Sequence, residues 1–391
     1  VESPEQTPAQ TKRTVWTFAL ASFFHDAGSD MILSIWPMFL TTVLGANMSA
    51  VGLIDGLGDA VVSIAQAISG YASDRMRKRK IFVWLGYLFS GISKIGYAFA
   101  PAWQWVIPFR ILDRSGKMRG APRDAIVSDL SSLENRGRHF GILRMMDNAG
   151  AMLGIITTIF LIRFLPVRTI IFFASVPSLI AVFLVILLYK EIDPDGSKVF
   201  RGIRFKDISP SLKLYTALNA VFMLGSFSYS FLLLSAQSAG FAIGTIPVLY
   251  LLYTAIAAGL SLQFGKLADR IGRKPVLLFS FACWIAVTLL FLFVNSKAGV
   301  IAAMALYGVH IASLDPVQKA FTAELAPKGF TASTLGGFQM IMGFVSFFAS
   351  FLAGILWDGF GMQYAYLLSL ALTICATVML VFLKTETQKP F

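Results

Sequence analysis

Apolar residues in this chain are gathered into long blocks, each closed by a short polar or Gly/Pro-containing stretch. A block of about 20 apolar residues, coiled as a helix, crosses the ~30 Å hydrocarbon core of a bilayer. Twelve such spans are predicted, at 15–42, 49–72, 80–100, 103–129, 138–162, 168–190, 210–236, 244–267, 275–295, 298–324, 331–356 and 361–384. Length and breakers define them rather than periodicity, because helices covered on all sides show little amphipathic moment. The longest connection, 191–209 (EIDPDGSKVFRGIRFKDIS), is charged and lies at the midpoint. It reads as a cytoplasmic linker between a bundle at 15–190 and a second at 210–384, with a short amphipathic piece at 199–208 as the alternative to plain linker. Polar tails are expected at 1–14 and 385–391, and no cleavable signal pattern opens the chain. The fold class expected is all-α, with twelve transmembrane helices in two six-helix bundles.

Composition agrees with a membrane protein. Of 391 residues, 56% are hydrophobic and 14% charged, whereas soluble domains carry about 25% charged residues. A formal charge of +12 would suit nucleic acid, but its distribution points to membrane topology. Cations crowd the even-numbered loops: Arg75, Arg77, Lys78, Arg79 and Lys80; Arg136 and Arg138; Lys198, Arg201, Arg204 and Lys206; Arg270, Arg273 and Lys274. The odd-numbered loops hold little beyond Arg163, Arg168 and Lys297. Lys and Arg favour the cytoplasmic side, so both termini are expected there. The setting expected is a bacterial inner membrane, with the chain a monomer in lipid and not bound to nucleic acid. Cys283 and Cys375 lie inside apolar blocks, so no disulfide framework is expected.

An internal repeat relates the two bundles. Gly70-x-x-x-Asp74-Arg75 recurs 195 residues later as Gly265-x-x-x-Asp269-Arg270. The same offset pairs Ala125 with Ala320, Asp129 with Glu324, Leu130 with Leu325 and Gly141 with Gly336. Four separated regions keeping one offset imply two pseudo-symmetric halves in parallel orientation.

The segment Gly265-Lys-Leu-Ala-Asp-Arg-Ile-Gly-Arg-Lys274 resembles the signature loop of the major facilitator superfamily, G-x-L-a-D-r-x-G-r-k. The first-half copy departs from it, with Ala72 for the Leu and Arg77 for the second Gly. Both copies follow spans 2 and 8, where the family carries them, and the resemblance covers essentially the whole chain. The run from Asp113 to Asp124 (DRSGKMRGAPRD) resembles a bacterial branch whose substrates are mostly unassigned. The resemblance implies a secondary transporter without cofactor, not an enzyme, moving a small-molecule solute by alternating access. It also implies a gating role for Gly70, Asp74, Arg75, Gly265, Asp269, Arg270 and Arg273. In the family the loop Asp meets the start of a helix in the opposite half, which places Asp74 near the start of span 11 and Asp269 near that of span 5. A helix N-terminus stabilises such a carboxylate. The cations from Arg77 to Lys80 read as plain topogenic charge. Arg110 takes the place of the family's span-4 Arg in R-x-x-q-G, associated with proton coupling, although Asp113 replaces the Gln and the Gly is displaced to Gly116. Gly141, Gly150 and Gly154 match the G-x8-G-x3-G spacing of the family's antiporter motif, with Ile155 where the Pro belongs and Thr158 for the last Gly. That spacing leans toward export by proton antiport, and tight helix packing is its other reading.

Charges inside the spans are the candidate chemistry. Span 4 carries Arg110, Asp113, Arg114 and Lys117, which fall on one stripe of a continuous helix. Facing lipid they would cost about 10 kcal/mol, so they must face protein or water. Span 1 offers His25, Asp26 and Asp30; span 2 Asp55 and Asp59; span 5 Arg144 with Asp147; span 10 His310 with Asp315 and Lys319. Two readings compete: structural ion pairs, or a cavity where Asp protonation and a cationic stripe bind and couple. The second is preferred for Asp26, Asp30, Arg110 and Asp113. Arg119, Arg123, Asp124 and Asp129 read as gate or interface residues. Asn219, Tyr229, Tyr250, Tyr253, Tyr307 and Gln339 are candidate linings of a more aromatic second half. A charged half facing an apolar half suits an amphiphilic, acidic organic solute.

Two rival readings follow from the same residues. His25, Asp26, Asp30 and His310 offer N and O ligands for transport of a divalent metal or its chelate, but adjacent helical residues diverge by about 100°, and no resident metal is expected. Gly56-Leu-Gly-Asp59 matches the G-x-G-D string of intramembrane aspartyl proteases, without the Tyr-Asp or Pro-Ala-Leu elements that accompany it.

Overall fold

A computed structural model describes residues 8–76, 78–131, 135–191, 209–294, 296–327 and 330–383. The expected amphipathic piece at 199–208 and the C-terminal tail lie outside the described residues. Among those described, all regular structure is helical. Span 1 is Pro8–Leu33, beginning inside the expected tail and continued by Trp36–Met38 and a wide turn at Phe39–Val43. Span 2 is Met48–Met76, span 3 Lys80–Phe99, span 5 Arg136–Leu161, span 8 Ile246–Ile271 and span 9 Arg273–Phe293. Spans 10 to 12 are Lys297–Glu324, Thr331–Phe360 and Met362–Phe382. Among the described residues, nine of the twelve spans are long and apolar enough to cross a membrane by composition. The other three, spans 1, 4 and 5, each carry several charged residues, among them Asp26, Arg110 and Arg144.

Besides span 1, three spans are interrupted, each for a local reason. Span 4 runs as Val106–Ser115, a tight 3-10 turn at Gly116–Arg119, and Gly120–Asp129. The continuous stripe expected there is therefore corrected. Gly116 and Gly86 bring two backbones together so closely that a Cβ on either would collide with the other's carbonyl oxygen. Arg119 then closes the turn by donating to the Gly116 carbonyl at 2.9 Å. Span 6 divides into Val167–Phe173 and Ser175–Leu188; Pro177 has no N–H for the preceding turn and fits only the first turn of a restarted helix. Span 7 divides into Pro210–Gly225 and Tyr229–Ser238, and the Ser228 hydroxyl caps its second part by accepting from the Ser230 N–H.

The chain groups into two compact units, Val1–Ala46 with Val61–Val199, and Asn47–Ala60 with Phe200–Phe391. This division differs from the expected 15–190 and 210–384 chiefly in giving the start of span 2 to the second unit. Small residues explain the transfer. Cβ atoms at Gly52, Gly56 and Gly354 would strike the backbones of Ser350, Phe347 and Met48. The Asp358 carboxylate caps the start of span 2, accepting from the backbone N–H groups of Met48 at 3.0 Å and Ser49 at 2.7 Å. In the first unit, Phe18, Tyr87, Val127, Leu143, Val185 and Tyr189 build a core from spans 1, 3, 4, 5 and 6. In the second, the Phe222 and Phe281 rings stack at 4.1 Å beside a buried Trp284.

The internal repeat extends to contacts that the 195-residue offset misaligns. Arg79 pairs with Asp129, and Lys80 Nζ donates to the Ile186 carbonyl at 2.9 Å near the end of span 6. In the second unit Arg273 Nε donates to Glu324 at 2.8 Å, and Lys274 Nζ donates to the Val381 and Leu383 carbonyls at the end of span 12. Arg79–Lys80 thus corresponds to Arg273–Lys274, one residue off the sequence register. Arg79 and Lys80 have structural partners beyond a topogenic role: each loop cation satisfies either an acid or the orphan carbonyls of a helix end. Between spans 8 and 9, Gly272 adopts φ +94 and ψ 159, a region nearly confined to glycine. Gly272→Ala is expected to cost about 1–3 kcal/mol, read as a lower thermal midpoint in detergent. An unchanged midpoint would show that the loop does not need this conformation.

Candidate functional site: a charged cavity in the first unit

Spans 1, 3 and 4 enclose a cavity of about 50 Å³ in the first unit. That is room for a few waters or a small polar group, not for a whole organic molecule. His25, Asp26 and Asp30 from span 1 and Arg110, Asp113, Arg114 and Lys117 from span 4 all line it, so seven of the expected residues converge. Two cations join them: Lys94 of span 3, and Arg119, which was expected nearer the cytoplasmic gate. Five cations against three carboxylates leave the lining with excess positive charge.

Each group is held by specific partners. Arg110 is buried, with its guanidinium 4.4 Å from the Trp36 ring centroid, and Trp36 is itself packed edge-on to Tyr97. Arg119 lies over the Tyr87 ring at 4.9 Å. These aromatic faces stabilise cations withdrawn from water. Asp113 accepts from the Ser90 hydroxyl at 2.6 Å and lies 3.6 Å from Arg114. His25 is buried, and its Nε2 hydrogen-bonds the Ser29 hydroxyl at 3.1 Å. Charged groups acting on Asp26 include Lys117, Asp147, Arg119, Arg123 and Lys94. Arg123 donates to Ser22 Oγ at 2.5 Å and pairs with Asp124 at 3.0 Å and Asp147 at 3.5 Å. It is a buried anchor between spans 1, 4 and 5.

Four expected residues do not line this cavity. Arg144 keeps 67% of its side chain exposed and pairs with Asp147 at 3.4 Å. Asp55 belongs to the second unit and accepts from the Ser228 and Ser230 hydroxyls. Asp59, also there, accepts from Ser346 Oγ at 2.7 Å. His310 is fully buried against Trp284 and Phe222, with Nδ1 2.9 Å from Ser280 Oγ. Asn219, a candidate lining residue, is buried and bonded to the Tyr215 carbonyl and to Gln318. Tyr229, Tyr250, Tyr253 and Tyr307 do form one aromatic cluster in the second unit.

Of the signature-loop residues, Asp269 pairs with Arg273 at 2.6 Å, while Arg75 and Arg270 are exposed. A Cβ at Gly70 would meet only Ala121 at 3.5 Å, and one at Gly265 no atom within 4 Å. The Asp74 side chain and Arg77 lie outside what is described. In the antiporter-motif spacing, Gly150 and Gly154 lie against the Phe23 and Ala27 carbonyls of span 1, whereas Gly141 is open.

Lys94 is the main residue that sequence reasoning missed. It is 2% exposed and donates to the Ser29 hydroxyl at 3.1 Å and to Ser178. Its signal was available: one Lys within the otherwise uncharged stretch 81–99.

The family model of the Major Facilitator Superfamily matches residues 18–235 and 215–391. The chain belongs to the major facilitator superfamily. An uncharacterised MFS-type transporter of Methanocaldococcus jannaschii is 34% identical to this chain, covering 98% of each. Among solved structures, a variant of the nucleoside transporter NupG superposes with a TM-score of 0.81 at 13% identity, over 95% of this chain and 100% of that one. A D-xylose-proton symporter gives 0.76 at 14% identity, over 98% and 99%. At these identities the superpositions show the fold, and a nucleoside and a sugar carrier on one fold do not select a solute. Membership in the superfamily makes this chain an integral multi-pass membrane transporter of twelve helices, not an enzyme. The aspartyl-protease reading of Gly56–Asp59 is thereby set aside.

Proposed function

We propose that this superfamily member exports a small acidic or amphiphilic organic solute by proton antiport. The observation that carries the reading is the convergence of Asp26, Asp30, Arg110, Asp113, Arg114 and Lys117 on one cavity. Structural ion pairs alone would be expected to close on one another without leaving a lined space. In the proposed cycle, an Asp of span 1 loses its proton when it pairs with the cationic stripe. Solute and proton exclude one another from the cavity. The solute-loaded carrier therefore crosses with that Asp ionised, and the carrier returns with it protonated and the solute gone. Competition for the stripe links proton movement to alternating access. Asp74 and Asp269 are proposed to gate the cytoplasmic side, with both termini cytoplasmic and the chain a monomer in an inner membrane. For metal or chelate transport, no cluster of three or more His, Cys, Asp or Glu able to hold an ion occurs among the described residues.

The test is reconstitution in liposomes with an internal pH dye, an imposed proton gradient, and a panel of organic acids, amphiphilic drugs, sugars, nucleosides and divalent metals. Proton movement elicited by organic acids or amphiphiles is the expected result. Tracer uptake without proton movement would make the chain a uniporter, and a response confined to metals would replace the organic solute.

A further inference from the structure

We propose that the first-unit cavity is a carboxylate subsite in which Lys94 is the recognising cation, holding the acid group of a solute whose body lies elsewhere. The assignment rests on the transporter reading and names the chemical group that the reading leaves open. Size comes first: about 50 Å³ accommodates a small headgroup and excludes the rest of an organic molecule. Charge comes second. The five lining cations outnumber the three carboxylates, so an entering anion is favoured over a cation or a neutral group.

The third argument is the chemistry of Lys94. An ammonium has three N–H donors, and two go to the neutral hydroxyls of Ser29 and Ser178. Among the described residues no carboxylate forms an ion pair with it, whereas Asp113 is already engaged by Ser90 and Arg114. The carboxylates that act on the ammonium, Asp113 and Asp26, do so from beyond ion-pair contact. A buried cation without a directly paired anion is expensive, and an incoming carboxylate supplies that direct pairing. Span 1 passes close to the ammonium at Gly28, which packs against the Ala174 carbonyl so closely that a Cβ would collide with it. That Cβ would stand 3.4 Å from Nζ and 3.1 Å from Ser178 Oγ.

The test uses the purified full chain in detergent with acetate as the bare headgroup, acetamide as its neutral isostere and methylphosphonate as the rival anion. Thermal midpoints are followed at matched ionic strength. Acetate is expected to raise the midpoint in a saturable way and acetamide to leave it unchanged. Lys94→Met should weaken the apparent acetate affinity at least about tenfold, the scale of one charged hydrogen bond. Lys94→Arg should restore most of it, which a merely structural lysine would not require. No acetate response, an equal response to acetamide, a response to methylphosphonate only, or full acetate affinity in Lys94→Met would each overturn the subsite. If Lys94→Met is not recovered folded, the isostere series in the unsubstituted chain decides alone. The antiport reading fails separately: acetate binding without proton-linked flux in liposomes removes the antiport and keeps the subsite. Proton-linked flux without an acetate response does the reverse.

Discussion

Asp26→Asn is expected to cut proton-driven flux at least about a hundredfold, the lower scale for a positioned proton-transfer group, while the protein remains folded and inserted. Asn keeps the shape of the side chain and its place in the cavity wall, but it carries no exchangeable acid proton. Charges acting on position 26 include those of Lys117, Asp147, Arg119, Arg123 and Lys94, and all remain in the variant. Removing this carboxylate's charge and proton leaves substrate binding possible but uncoupled. Pre-loaded solute should therefore still exchange across the membrane without a gradient, while a proton gradient no longer drives accumulation. Asp124→Asn is the control, because Asp124 pairs with Arg123 at 3.0 Å and does not line the cavity. Undiminished gradient-driven flux in Asp26→Asn would remove Asp26 from the mechanism and pass the role to Asp30.

Replacing Gly150 and Gly154 together by Val is expected to destabilise the first unit by several kcal/mol, whereas Gly141→Val should leave stability within about 0.5 kcal/mol of the parent. A Cβ at Gly150 would press on the Phe23 carbonyl and one at Gly154 on that of Ala27. Backbone has no rotamer to move, so spans 1 and 5 would have to separate. At Gly141 a Cβ would meet nothing within 4 Å. Three glycines of one sequence spacing thus carry opposite expectations for stability, checked by thermal unfolding and by monodisperse yield. Equal tolerance at all three would mean that spans 1 and 5 do not pack this closely. If Gly141→Val keeps its stability but loses export, the spacing has a transport role at that position beyond packing.

The clustering of charge on spans 1 and 4 was legible because charge inside an apolar block has few affordable places to go. The partners were not. Lys94 looked like a single cation in span 3, and only packing shows it between Ser29 and Ser178. Conversely, His310 and Asp55 resembled cavity residues in the sequence but are occupied by Ser280 and by Ser228 with Ser230. A hydroxyl can occupy the hydrogen-bonding positions of a buried ionisable group without supplying a counter-charge, and serine is too common to flag from sequence. The one-residue slip that aligns Arg79 with Arg273 was hidden for a related reason. Loop register is set by the partners that cations reach, Asp129 and Glu324, and not by the spacing of flanking glycines.

What the sequence by itself determined is the number, length and order of the spans, the two-half repeat and the superfamily. Each follows from a local cost: burying charge in hydrocarbon, or leaving backbone groups unsatisfied there. What only the tertiary structure decided is which charges share a cavity, which glycines are contact surfaces, and where helices 4, 6 and 7 break. Those depend on approach between segments far apart in the chain, such as Gly86 with Gly116 and Phe23 with Gly150. A single span's sequence specifies that it will be a helix; the neighbours packed against it specify which of its faces does the chemistry.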